Sequence, residues 1–236
     1  MLPAVSALCQ QLGTLQHMAN VLTVNLAHPR PNSDKGSLWT GIDKRPTNDT
    51  VTVRAPGPMQ GGLGSGLLGD YIGDSQFHGG DDQAVYAYAR EDLDVWQNEL
   101  KRDLPNGMFG ENFTTGGVDV TDARIGERWQ VGSDGLVLEV SRPRIPCRTF
   151  AVWLEIRGWL KTFTKAATPG TYFRVIEAGM VRAGDAIVVV DRPSHDVTVG
   201  FVFRALTLEP ELLPQLLVVD ALPDEIKEIA RRRAVS

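Results

Sequence analysis

The stretch WQVGSDGLVLEVSRPRIPC, residues 129–147, decides how the rest of the chain is read. "LVLEV" alternates apolar and polar side chains at the period of a half-buried strand, and "SDG" before it has the composition of a hairpin turn. The strand has to end near Pro143 and Pro146, which lack an amide donor and keep the following chain out of helix. Cys147 therefore stands just past a strand end, with Arg142, Arg144 and Arg148 close by in sequence. Cationic neighbours favour a thiolate, whereas a lone cysteine in apolar surroundings is only a small hydrophobe. Local chemistry leaves both readings open.

Outward from this hairpin, further short strands are predicted at 20–27, 51–55, 112–115 and 186–190, separated by glycine-rich turns. Two helices interrupt them. The first is AVYAYAREDLDVWQNELKRDL, residues 84–104, with an apolar stripe of Val85, Tyr88, Leu93, Trp96 and Leu100 and a cap at Asp81 or Asp82. The second is RTFAVWLEIRGWLKTFTKAA, residues 148–167, whose Trp153 and Trp159 are packing groups rather than cofactor platforms. Many strands with inserted helices predict a mainly β fold, a closed or nearly closed barrel rather than a wound βαβ sheet. The polar stretch 28–49 is expected to be an exposed loop carrying one short strand.

Three units are expected: an N-terminal helical extension over 1–19, a β-barrel domain over 20–192 and a small helical subdomain over 193–236. The apolar content of "VTVGFVFRAL" and "ELLPQLLVVDAL" is too high for free short helices, so this tail should pack on the barrel or form a homodimer. Arg231, Arg232 and Arg233 end a helix favourably and need no nucleic acid to explain them. At 236 residues, 42% hydrophobic and 22% charged, the composition is that of a globular protein able to bury a sizeable core. A net charge of -5 argues against binding a nucleic-acid polymer. Cys9 and Cys147 make no disulfide framework, and the start lacks both a basic leader and a membrane-length apolar run. The expected location is cytoplasmic.

Chemistry concentrates in two glycine clusters. In GGLGSGLLGDYIGDSQFHGGDDQAVYAY, residues 61–88, Gly79 and Gly80 let the backbone turn tightly beside a ligand, and His78 can donate to a phosphate or orient a neighbour. The same residues equally serve as an ordinary turn. The segment has neither a dinucleotide fingerprint nor a phosphate-loop lysine. In MFGENFTTGGVDV, residues 108–120, Asn112 suits the edge of a heterocycle and Thr114 suits phosphate, unless each only ties its own loop. Arg174 is a further candidate anion ligand. The four histidines have no metal-ligand spacing, and Asp70, Asp74, Asp81 and Asp82 fit no calcium loop. A lone thiolate can still serve a soft or high-valent metal when a cofactor supplies the other ligands.

Taken in order, "LLGD", "HGGDDQAVYAY" (78–88), "FGENFTTGG" (109–117), "IGERWQVG" (125–132), "SRPRIPC" (141–147) and "GTYFRVIEAGMVRAGD" (170–185) resemble the MOSC domain family, in particular its YiiM-like bacterial branch. The resemblance covers roughly residues 20–190. It implies a barrel-like fold that binds a molybdopterin-type molybdenum cofactor, with Cys147 as the thiolate ligand to molybdenum or as a sulfur carrier. By the same resemblance His78, Gly79, Gly80 and Asn112 lie at the pocket, and Arg142 and Arg144 meet the pterin phosphate. The implied activity is reduction of N-hydroxylated bases such as 6-N-hydroxylaminopurine, with a separate protein as electron donor. A non-catalytic cofactor or sulfur carrier and a structural barrel without cofactor are the alternatives. The chain departs from the family pattern at Phe77, where relatives commonly carry a lysine before the histidine, and the insertion over 28–50 can reshape the pocket mouth.

Overall fold

The SDG segment turns as its composition predicts: Arg128–Val131 and Leu136–Pro143 form an antiparallel hairpin with Val131 opposite Leu136 and Arg128 opposite Glu139. The structure is a computed structural model and describes residues 19–34 and 38–234, so Cys9 and all but the last residue of the expected N-terminal extension lie outside the described residues. In chain order the first strands are β1 (Asn20–Ala27), β2 (Arg30–Pro31), β3 (Trp39–Thr40), β4 (Lys44–Thr47), β5 (Val51–Val53) and β6 (Val85–Ala89). Then come α1 (Arg90–Leu100), β7 (Phe113–Gly116), β8 and β9 (the hairpin), α2 (Arg148–Leu154) and α3 (Trp159–Ala166). Strands β10 (Thr171–Glu177), β11 (Gly179–Val181) and β12 (Ile187–Asp191) precede α4 (Val199–Thr207) and α5 (Asp224–Ala234).

The expected barrel does not close. Eight strands form one open sheet in the order β12-β8-β9-β10-β6-β7-β1-β4, beside two small two-stranded sheets. The chain entering β12, at one end, meets β1, the strand next to the other end, at a bridge between Asn20 and Ala186. Hydrogen bonds flank that bridge, from the Val21 amide to the Asp185 carbonyl at 2.9 Å and from the Ile187 amide to the Ala19 carbonyl at 2.8 Å. Pairing goes no further because β4 occupies the edge of β1 from Val24 to Ala27. The fold is thus mixed α/β, with open sheets and several helices, and the mainly β barrel is set aside.

Two helix assignments are corrected as well. Val85–Ala89 is a strand, held between β10 and β7, with all five residues buried. A strand covered on both faces loses its alternation, so its apolar residues merge in sequence with the stripe of the helix that follows. Helix begins only at Arg90, and Asp81 and Asp82 sit in a short 3-10 turn without capping it. The second helix splits into α2 and α3, because Glu155 takes a left-handed backbone (φ 56°) and Gly158 another (φ 77°). The polar stretch 28–49 supplies three short strands and buries Asn32, Asp43 and Lys44.

The core is in two parts. Leu136, Leu138 and Val140 of β9 face a cluster that includes Val199 and Val202 of α4, Leu213 and Leu216 of a 3-10 stretch over Pro210–Val218, and Ile226 of α5. The C-terminal helices therefore pack on this chain's own sheet. Arg142 ion-pairs with Glu225 of α5, and Arg174 donates to the Ala221 carbonyl at 2.7 Å. The second part is aromatic: Tyr88, Trp96, Phe109, Phe150, Trp159 and Phe163 pack together and fix α1, α2 and α3 around the end of β9. Cys147 leans on this second cluster.

Candidate functional site

Where β9 ends, Pro143 and Pro146 release the chain and α2 starts directly after Cys147. The thiol is half-buried and lines an open cleft whose empty space, measured out to open solvent, is about 710 Å³. Both glycine clusters reach the same cleft: His78 and Gly79 from one, Gly110 and Asn112 from the other. Segments far apart in sequence thus converge on the cysteine. Gly79 has φ 87° and a Cβ there would meet the Gly64 carbonyl oxygen at 2.7 Å, so no side chain fits.

Burial alone pushes the Cys147 thiol up, yet a hydrogen bond with His78 and the charge of Arg144 outweigh it and bring its pKa to about 6. The His78 charge and the Phe150 backbone amide, in the first turn of α2, act in the same direction. Arg144 is itself buried. Its Nη1 donates to the Phe109 carbonyl at 2.6 Å, and its guanidinium lies 3.8 Å from the Phe150 ring centroid and 5.3 Å from that of Tyr86. These contacts hold a permanent positive charge beside the sulfur, and a guanidinium with stacked faces suits that role.

A second polar group lies deeper. Asp70 accepts from Lys44 Nζ at 2.6 and 2.7 Å, from Ser65 Oγ at 2.7 Å, from Asn112 Nδ2 at 2.9 Å and from the Ala27 amide at 2.9 Å. Burial would raise its pKa, but Lys44, Ser65 and Asn112 together lower it, so the carboxylate stays charged. Asn112 Oδ1 accepts from the Tyr86 amide at 3.2 Å, which pins the side chain at both ends. Glu111 braces the same loop, accepting from the Gly107 amide at 2.6 Å, the Phe109 amide at 3.0 Å and Thr114 Oγ1 at 2.8 Å. Full burial raises its pKa.

Of the residues proposed from sequence, Cys147, His78, Gly79, Asn112 and Arg144 line one cleft. The others lie elsewhere. Thr114 is buried against Asn25 and Glu111, Gly80 turns the chain beneath Met59, and Arg142 and Arg174 are taken up by Glu225, Asp82 and Glu139. Sequence reasoning missed Lys44, Tyr86, Tyr172 and the aromatic mouth at Trp39 and Tyr71. A single lysine inside a polar insertion gives no signal, whereas "LLGD" already marked Asp70.

The MOSC domain profile matches residues 74–188. An uncharacterized Bacillus subtilis protein, YflK, is 32% identical over 190 residues, covering 80% of this chain and 81% of that one. A Gibberella moniliformis protein named "Reductase" is 32% identical over 176 residues, and the match takes in 71% of this chain but only 31% of that longer protein. Among solved structures, YiiM from Geobacillus stearothermophilus superposes with a TM-score of 0.72 at 24% identity, over 91% of this chain and 98% of that one. YiiM from Escherichia coli superposes at 0.66 and 23% identity, over 83% and 89%. These two show a shared fold. Together with the ordered motifs around Cys147, the comparisons place the chain: it belongs to the MOSC domain family, a group linked to molybdenum-cofactor biology.

Proposed function

We propose that this chain binds a molybdopterin-type molybdenum cofactor through Cys147 and reduces an N-hydroxylated base, such as 6-N-hydroxylaminopurine, with electrons from a separate partner. The observation that carries this reading is the Cys147 thiol, lowered to about 6 in a cleft it shares with His78, Arg144 and Asn112. At neutral pH a thiol of that acidity is mostly thiolate, the form that ligates metal. The donor set fits the group. Cys147 offers one thiolate, and among the described residues no set of three His, Cys, Asp or Glu side chains could hold a metal, so its other ligands belong to the cofactor.

When bound, the cofactor supplies the two-electron chemistry that side chains lack. The overall change is R–NHOH + 2 e⁻ + 2 H⁺ → R–NH₂ + H₂O, in which the N–O bond breaks and the oxygen leaves as water. The His78 hydrogen bond and the charge of Arg144 together keep the Cys147 sulfur unprotonated, which keeps it available as a ligand. His78, hydrogen-bonded to that sulfur, is the group placed to hand a proton to the departing oxygen. Asn112 is saturated by Asp70 and the Tyr86 amide, so it shapes the cleft floor as a positioning residue.

Metal analysis of gently purified protein, paired with dye-driven reduction of 6-N-hydroxylaminopurine to adenine, tests the reading. Molybdenum and turnover are expected in the wild type, and Cys147→Ser should lose turnover. Full turnover by a cofactor-loaded Cys147→Ser protein would overturn the assignment. Molybdenum without turnover under any reductant would favour a carrier instead.

A further inference from the structure

The mouth of the cleft has a feature that the chemistry at Cys147 does not use. Trp39 is 52% exposed and Tyr71 is 37% exposed, and both line the cleft. They come from different segments, β3 within the 28–49 insertion and the loop after Asp70. Backbone contacts hold those segments together. A side chain at Gly41 would collide with the Tyr71 carbonyl, and one at Gly73 would collide with the Trp39 carbonyl. Each aromatic residue is thus backed by a glycine of the opposite segment. The frame is anchored below, since Asp70 binds Lys44 of β4 and the Ala27 amide of β1.

A large apolar ring left half in water has to be covered by something to gain its burial energy. Two such rings, at the mouth of one cleft and tied through their backbones, suit a flat, rigid ligand better than a flexible chain. Asn32, Thr40 and Gln83 also line the cleft and supply polar edges. We infer that Trp39 and Tyr71 are the specificity-determining residues of this cleft: they stack on the flat ring of an N-hydroxylated base and discriminate against aliphatic hydroxylamines. This deepens the proposed function: it rests on that reading for the reaction and the base, and on the two exposed rings at the cleft for the stacking.

The test reads binding apart from turnover. Trp96, Trp129 and Trp159 are buried, so a Trp153→Phe background leaves Trp39 as the accessible tryptophan among the described residues. Titrating that protein with adenine should quench its fluorescence saturably, and Trp39→Phe should remove the quench. Stacking on an aromatic side chain implies that Trp39→Ala or Tyr71→Ala weakens adenine binding by roughly fivefold or more. On cofactor-loaded protein each alanine variant should raise KM for 6-N-hydroxylaminopurine while leaving KM for N-methylhydroxylamine unchanged. Unchanged adenine affinity in both alanine variants would overturn the frame, and so would loss of the adenine quench once cofactor is bound, because the rings would then belong to the pterin. If adenine binds as described but no preparation reduces the base, the frame stands and the redox reading fails.

Discussion

The acidity of Cys147 is the most direct physical consequence of this site, and His78 is the residue to perturb. The folded thiol sits near 6, against an ordinary value of 9.0. That gap of three units corresponds to about 4 kcal/mol favouring the thiolate in the fold. Because the folded value is depressed, the stabilisation is complete above the unfolded value, close to pH 9, and is lost as pH falls through about 6. At pH 7.4 linkage leaves about 2 kcal/mol of it, an upper figure for a thiol that is partly exposed. In metal-free Cys9→Ser protein the pH profile of alkylation by iodoacetamide should have its midpoint near 6. His78→Phe removes the hydrogen bond that lowers the thiol most, so the midpoint should rise by about one unit or more, while Arg144 holds it below that of a free thiol. Urea denaturation supplies the second reading: Cys147→Ser should lose stability relative to the parent at pH 8 and match it at pH 5. A wild-type midpoint near 8.5, or one that His78→Phe does not move, would refute this account.

Lys44→Met should destabilise the protein by about 3–5 kcal/mol in urea, because it strands the Asp70 carboxylate, whose side chain is fully buried. Lys44→Met/Asp70→Asn should recover most of that loss, whereas a surface pair would cost no more than about 1 kcal/mol. Asp92, in the first turn of α1, has its pKa raised to about 6 by burial and then by Asp119 and Glu91. The stability tied to its protonated form is present below about pH 4 and gone once pH passes about 6, so Asp92→Asn should stabilise by about 1–2 kcal/mol at pH 7.5 and by nothing at pH 4. Phe150→Ala should cost about 3–5 kcal/mol and, by removing the ring under Arg144, raise the alkylation midpoint of Cys147.

The strands flanked by turns were legible in the sequence because alternation and turn composition are local signals. The β8–β9 hairpin and the position of Cys147 past its end follow from "SDG", "LVLEV" and two prolines. Val85–Ala89 was not legible as a strand, since burial on both faces erases the alternation that would have marked it. Closure of the sheet was not legible either. It depends on which strand takes the free edge of β1, and nothing in "KRPT" announces that β4 will. At the site, the thiol and the HGG loop could be named because their chemistry is carried by the residue type. Lys44 could not, because its importance lies in the Asp70 carboxylate at 2.6 Å, a partner 26 positions away. Arg142 and Arg174 were read as anion ligands for the same reason: sequence shows the guanidinium and hides the carboxylates that claim it.

The departure at Phe77 acquires a physical meaning from this placement. Phe77 is 63% exposed and offers no cation to the cleft. A lysine does line it, arriving instead from β4 in the insertion, but Asp70 takes its charge. Arg144 is likewise matched by the Cys147 thiolate. Among the described residues lining the cleft, Lys44 and Arg144 are therefore both compensated by neighbouring anions. The groove next door shares Asn32, Thr40, Ile42 and Thr149 with the cleft and is lined by Arg30 and Arg102 together with Glu155. Arg30 lies 5.2 Å from the Trp153 ring centroid, and its contact with Asp43, at 3.7 Å, is longer than the 2.9 Å that Arg45 makes to the same carboxylate. The insertion thus contributes a neutralised lysine to the cleft and Arg30 to the outer groove.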